Sequence, residues 1–348
     1  RRPADRTWPD APAAGLGRMA LALADKTWWD APPEASPLPR EVYYPSVQVF
    51  LAREQAGSPA GLAVAAKGGH NGENHNHNDI GTVIVALDGT PVVIDAGRST
   101  YTAQTFGPDR YGIWSMRSGW HNVPVVTDAE QGTGPEFRAD AATAAFTPHC
   151  ATFTVDLAGA YPPGTLARWR REVTLERRLE SPPALSSHDA REATSGAPVA
   201  EGGGGIVRVS DQWELGGDVP ADAPVELRYL LTGRIVNAQA GVAEIETLSG
   251  RRLTVTWPRG LPYRLVERPL DDPAQRRVWG GIVTQLRLDA RGEQECAIAC
   301  YRSQPRQTRT ITHDPPPHVC RLDELAPAHR PLPTTHDSSP LGRATPEG

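Results

Sequence analysis

The sequence predicts a mainly β protein: a large antiparallel β-sandwich preceded by a short helical remnant at the N-terminus. Two observations carry that expectation. Glycine and proline are abundant, 33 and 34 of 348 residues, against a usual combined share of about 12%, and they punctuate the chain without a repeat. Between them lie short apolar runs rich in β-branched residues and bounded by turn signals, as in two packed sheets.

The N-terminal pattern is the exception. Residues 13–29 place Leu16, Met19, Ala20, Leu23 and Trp28 on one helical face. From Val42 onward the period changes to two. Residues 42–44 and 47–51 read as strands, and 61–66 as a third that runs into a loop of glycine, histidine and asparagine. Residues 82–87 and 91–95 flank Asp88-Gly89, a hairpin signal. The same grammar returns at 153–157, 169–175, 206–209, 225–230, 252–257 and 283–288. The chain therefore divides into a helical segment or linker at 1–40, a sandwich over 41–325, and a tail at 326–348. That tail is rich in proline, histidine and serine and is expected to be disordered. A lone helix makes a poor domain, so 1–40 reads either as the end of a longer helical region or as a helix packed on the sandwich.

Composition excludes some functions. The formal net charge is -5 and the arginines are interspersed with acids, so there is no nucleic-acid footprint. No window approaches the ~20 apolar residues of a membrane span. The first residues lack the apolar core of a signal peptide, a trait shared by processed secreted proteins and excised fragments. The four cysteines have no metal-site spacing. Cys296 and Cys300 fall on one side of a strand, too far apart to bridge, and read as core thiols. Cys150 and Cys320 are left open as disulfide candidates.

The polar constellation lies in residues 67–81, Lys-Gly-Gly-His-Asn-Gly-Glu-Asn-His-Asn-His-Asn-Asp-Ile-Gly. On extended backbone His75 and His77 point to one face, with Asn76 and Asn78 on the other. Asp95 lies 18 residues past His77, at the far end of the hairpin turning at Asp88-Gly89. A hairpin brings its ends together, so His77 and Asp95 can share an ion, and His121, 26 residues further on, offers a third ligand. Two imidazoles and a carboxylate suit zinc. A solvated Asn-His loop with no ion, and His121 as a hydrogen-bonded core residue, stand open beside that reading. Between Asp95 and His121 the chain carries Arg98, Tyr101, Phe106, Arg110, Tyr111, Trp114 and Arg117. Aromatic rings stack on sugar faces and guanidinium forks match carboxylates or sulfates, so the loop suits an anionic sugar; Arg98, Arg110 and Arg117 read equally as structural ion-pair partners. Tyr101 and Tyr111 read equally as proton donors or as loop-holding residues.

Those residues resemble the heparinase II/III-type polysaccharide lyases. The likeness is carried by residues 67–71 and 75–81, by Val93-Ile94-Asp95-Ala96-Gly97, by Tyr101 and by Trp120-His121-Asn122. It extends more weakly through Gln131-Gly132, Phe137, Trp169-Arg170-Arg171, Asp211-Gln212-Trp213 and Trp279-Gly280-Gly281. The resemblance implies an N-terminal α/α toroid joined to a large antiparallel sandwich, the lyase supersandwich, with the active site between them. It also implies β-elimination on a uronate-containing polysaccharide; heparin or heparan sulfate, alginate and other bacterial uronans fit an arginine-rich cleft. It assigns Zn2+ to His77, Asp95 and His121, and places His75 beside the substrate carboxylate. It makes Tyr101 or Tyr111 the catalytic tyrosine.

Asn74, Arg98, Arg110, Arg117 and Trp114 are the expected substrate contacts. In the family an asparagine, a histidine and another tyrosine come from the toroid, of which 1–40 supplies at most the last helix. The chain is therefore expected to be incomplete without a toroid domain or a second copy. The rival is a non-catalytic zinc-supported carbohydrate-binding or structural sandwich module. A hydrolase is disfavoured because no convincing carboxylate pair is present. The resemblance implies a secreted or periplasmic location.

Overall fold

Strand formation follows side-chain alternation. In residues 62–67, Leu62, Val64 and Ala66 are buried and their neighbours half-exposed. Val83, Val85 and Leu87 repeat the pattern across the next strand, so both strands set one apolar face on a core. The computed structural model describes residue 24 and residues 26–30, 37–177, 204–303 and 319–321.

The chain runs through α1 (Lys26–Asp30), β1 (Glu41–Tyr44), β2 (Val49–Arg53), β3 (Leu62–Lys67), β4 (His70–Asn71), β5 (Val83–Leu87) and β6 (Thr90–Val93). A loop with three 3-10 turns, Ala103–Phe106, Arg110–Gly112 and Ser118–Trp120, leads to β7 (Pro124–Val126). There follow β8 (Gly134–Arg138), β9 (Asp140–Phe146), β10 (Cys150–Asp156), β11 (Leu166–Glu176) and β12 (Ile206–Leu215). The remainder is β13 (Val225–Leu231), β14 (Arg234–Gln239), β15 (Val242–Glu246), β16 (Arg252–Thr256), β17 (Tyr263–Pro269), α2 (Pro273–Trp279), β18 (Ile282–Asp289), β19 (Glu295–Arg302) and β20 (Val319–Arg321).

Two large sheets form the sandwich. One is ordered β1-β2-β3-β5-β6-β13-β18-β17-β20, with β7 also paired to β13; the other is β14-β15-β16-β19-β12-β11-β10-β9. Pairing is antiparallel except between β17 and β20. Phe50, Val64, Val85, Leu227 and Leu286 from the first sheet share one core with Phe153, Val173, Val209, Val255 and Ile298 from the second. A smaller apolar cluster of Ile94, Ala96, Trp120, Leu230, Val266, Leu270 and Val283 lies apart from that core. Asp88 and Gly89 both have positive φ and close the tight β5–β6 turn that the sequence signalled.

The structure differs from expectation in several places. Most of the helix predicted over 13–29, and the whole tail 326–348, lie outside the described residues; what is described there is α1. β8, β9 and β14 escape the sequence pattern because they bury few residues, which leaves little apolar alternation to see. Cys296 and Cys300 are buried and free, as is half-buried Cys150. Burial pushes both core thiols up to about 12, so they are unreactive. Among the described residues no helix is long and apolar enough to cross a membrane.

Candidate functional site

The site is assembled by hydrogen bonds that fasten three chain segments together. The Asn122 side-chain amide donates to the carbonyls of Val83 at 2.6 Å and Ile94 at 2.8 Å, while its oxygen accepts from the Leu230 amide at 2.6 Å. One buried asparagine thus locks the start of β5, the residue before Asp95 and the strand β13, directly beside His121. Behind it, Arg171 on β11 and Asp211 on β12 form a bidentate pair at 2.8 and 2.9 Å, both about 1% exposed. The third Arg171 nitrogen, Nη1, donates to the carbonyls of Gly81 and Asn122. The opposite sheet therefore reaches across the core to hold the backbone on either side of the site. Gly81 has φ +90, and a Cβ there would meet Leu157 at 2.6 Å, so only glycine fits.

On that frame His77, Asp95 and His121 converge, their ligand-capable atoms within 4.8 Å of one another. His121 is fully buried; its Nδ1 lies 2.8 Å from Asp95 Oδ2, and Asp95 Oδ1 accepts from the Gly97 amide at 2.9 Å. The His77 and His121 rings face each other with centroids 5.4 Å apart. Burial and the neighbouring His121 push His77 down to about 4. Burial works against ionising Asp95, yet the charge and hydrogen bond of His121 outweigh it and hold the carboxyl well below its usual range. Burial likewise opposes a charged His121, and Asp95 overrides it, raising His121. His121 Nε2 is buried without a hydrogen-bond partner among the described residues. Two imidazoles, one of them with an orphan buried ring nitrogen, and a carboxylate form a cluster able to coordinate a metal ion.

Beside the cluster, Lys67 bridges Asp79 at 2.8 Å and Glu73 at 3.2 Å. Burial lowers the lysine and raises Asp79; the pairing with Asp79 prevails for Lys67, while burial prevails for Asp79. The Gln131 side chain exchanges hydrogen bonds with both backbone groups of Ile80, so the loop between Asn71 and Ile80 is held at each end.

His75 is not on extended backbone. It lies in a turn closed by the Asn76 amide on the Glu73 carbonyl, with φ +58, and so does not share a strand face with His77. Its exposed ring is 6.1 Å from Tyr101 in a near-parallel stack and meets Phe106 edge-on at 5.9 Å. The Arg98 guanidinium lies 4.9 Å above the Tyr101 ring. Tyr101 and Phe106 are exposed, and Asn74 is exposed in the same turn.

The other expected contacts are placed differently. The Tyr111 hydroxyl donates to Asn76 Oδ1 at 3.1 Å, and Arg110 donates to the carbonyls of Thr105 and Asn76, so both brace the His75 turn. Arg117 pairs with Glu130 at 2.7 Å, and Trp114 packs edge-on against Trp120. These two line a separate cavity, of about 580 Å³, to which no member of the His77–Asp95–His121 cluster contributes.

No family model and no curated protein matches the sequence. Solved structures match it in fold. The chain is similar to heparinase III, the BT4657 gene product, with methylated lysines, at TM-score 0.54 and 12% identity over 82% of this chain and 40% of that one. It is also similar to the heparan sulfate lyase HepC from Pedobacter heparinus, at TM-score 0.53 and 12% identity over 83% and 41%. The sandwich thus resembles, at the level of fold, the heparinase II/III-like lyases. It spans about two fifths of the length of the structures it matches.

Proposed function

We propose that the sandwich is the zinc-supported half of a polysaccharide lyase that cleaves uronate-containing polysaccharide by β-elimination. The observation that carries this is the placement, on a heparinase-like fold, of an exposed His75–Tyr101 pair next to a His77–Asp95–His121 cluster fit for a metal. His77, Asp95 and His121 would hold Zn2+, which would fix the ends of the loop and orient its neighbours. Arg98 and His75 both pack on Tyr101, and with Asn74, exposed in the turn of His75, they are assigned here to the uronate carboxylate. Positive charge and N–H donors there stabilise the anion that develops when the proton alpha to the carboxylate is removed. Tyr101 takes the acid–base role. A histidine or tyrosinate base takes the alpha proton, the electron pair left on the alpha carbon forms the new double bond as the glycosidic C–O bond breaks, and the departing oxygen takes a proton from the Tyr101 hydroxyl.

Tyr101 is preferred over Tyr111 because its ring accompanies His75, whereas the Tyr111 hydroxyl is spent on Asn76. His75, Tyr101 and Phe106 lie on an open face, so a second wall is needed to enclose a sugar. An α/α helical domain of the family's type supplies it in this proposal, and a second copy of the chain is the other source. Secretion or periplasmic location goes with a substrate outside the cytoplasm.

The test is ultraviolet absorbance of the unsaturated uronate product, measured with a panel of sulfated and unsulfated uronans. It is run on the chain alone and within any longer product of its coding sequence. Product from the longer protein but not the chain alone supports the split-site arrangement. Sugar binding without product from either would instead mark a non-catalytic zinc-supported carbohydrate-binding module.

A further inference from the structure

The cavity beneath Trp114 and Arg117 has a charge arrangement that the proposed chemistry does not use. Arg228 on β13 is directly opposite Arg287 on β18, and Arg287 is directly opposite Arg264 on β17. Three guanidiniums therefore stand in register across three neighbouring strands, and like charges so placed repel. Glu226 pairs with the two outer ones, Arg228 at 2.7 Å and Arg264. Central Arg287 makes no ion pair among the described residues; its Nε donates to Gln285 Oε1 at 2.8 Å. Arg268, also on the cavity wall, lies 4.2 Å over Trp114 and 4.9 Å over Trp120. Its Nε is buried with no hydrogen-bond partner among the described residues. Burial depresses both unpaired arginines to about 10, and for Arg287 the neighbouring Arg228 adds to the effect. Four arginines, Arg117, Arg228, Arg268 and Arg287, line the cavity against two carboxylates, Asp128 and Glu130, and guanidinium forks without an ion-pair partner match the oxygens of a sulfate or carboxylate. A volume of about 580 Å³ is that of a small-molecule site and exceeds the needs of a bare ion.

We propose that this cavity is an oxyanion-binding site in which Arg268 and Arg287 grip a sulfate or carboxylate group of an acidic saccharide, separate from the His75–Tyr101 face. The oxyanion rests on the cavity itself; the choice of a saccharide as its carrier rests on the lyase reading.

Calorimetric titration of the full chain with sodium sulfate and with sodium glucuronate, at constant ionic strength against sodium chloride, tests it. Saturable binding of either is expected; the sulfate arm alone would specify a sulfate ester, and the glucuronate arm alone a uronate. Arg287→Gln and Arg268→Gln should each weaken binding roughly tenfold or more, whereas Arg291→Gln, on an exposed turn, should not. Arg287→Gln should also leave the anion-free melting temperature unchanged or higher, since it relieves the register repulsion; this keeps the test valid if Arg268→Gln, which uncovers two tryptophans, fails to fold. Absence of saturable binding to both anions overturns the proposal, as does undiminished affinity in Arg287→Gln. Neither result bears on uronan cleavage, which is read separately from unsaturated product.

Discussion

Replacing Asp211 with Asn removes the charge that faces buried Arg171 while keeping the shape of the side chain. The two side chains are 1% and 0% exposed, so the surviving guanidinium has little access to solvent as compensation. Removing one partner of such a pair costs about 3–5 kcal/mol. With an unfolding entropy of about 0.6 kcal/mol/K for a domain of this size, the melting temperature falls by roughly 5–8 °C. Scanning calorimetry reads this directly. The double variant Arg171→Met with Asp211→Leu removes both charges and should recover much of the loss. Recovery is partial, because the carbonyls of Gly81 and Asn122 lose their donor at about 1–3 kcal/mol. Two results would refute the reasoning: Asp211→Asn melting within about 1 °C of the parent, or a double variant no more stable than the single one.

For the zinc site proposed above, His77→Ala should lower the zinc taken up by the protein, measured by mass spectrometry of the metal, and should remove the rise in melting temperature expected when zinc is added to the parent; unchanged zinc content would remove His77 from the ligand set. In metal-stripped protein, His77 at about 4 lies below its ordinary value of about 6.5. The unfolded chain then binds more protons between those values, so stability falls as pH drops from about 6.5 to about 4 and no further loss comes from this group below that. Denaturant titrations should show the limb flattened in His77→Gln, and an unaltered limb would assign it elsewhere. In the longer protein that the proposed split site requires, Tyr111→Phe should cost about 1 kcal/mol, one hydrogen bond, with little change in kcat. Tyr101→Phe in that protein should abolish product formation at nearly unchanged stability, and the reverse ranking would exchange the two tyrosines' roles.

The strands legible in the sequence are those buried on one face, β3, β5, β10, β11, β13 and β18, because burial enforces alternation. β8, β9 and β14 bury none of their residues and carry no such signature. The convergence of His77, Asp95 and His121 was readable because a tight Asp-Gly hairpin fixes where its ends lie. The Arg171–Asp211 bolt was not read, yet its signal was present. Trp169, Arg171, Val173 and Leu175 share one strand face, as do Val207, Val209, Asp211 and Trp213. A lone arginine and a lone aspartate on two apolar faces call for each other, since neither charge is tolerated there unpaired. Trp114 and Arg117 were expected at the substrate cleft because they are near it in sequence. They line a cavity with Arg228, Arg268 and Arg287, from strands distant in sequence, and no periodicity reports such a neighbourhood.

The backbone at His75 is the remaining departure, and it can be tested against the role proposed for the residue. A left-handed conformation costs a residue with a Cβ roughly 1–2 kcal/mol. It persists because Asn76 is held from several sides: its side-chain Nδ2 donates to the Asn71 carbonyl at 2.7 Å, Arg110 donates to its backbone carbonyl, and Tyr111 to its side-chain oxygen. The strain turns the imidazole outward against Tyr101 and Phe106, where extended backbone would have turned it toward the face of His77. Glycine relieves the strain but raises the entropy of the unfolded chain by roughly 0.5–1 kcal/mol relative to alanine. His75→Gly should therefore be at least as stable as His75→Ala in urea titrations, and both should lose turnover while retaining zinc. If alanine proved the more stable of the two by the margin usual at an ordinary position, the left-handed turn and the outward imidazole that depends on it would be wrong. Zinc loss in either variant would instead move His75 into the metal cluster.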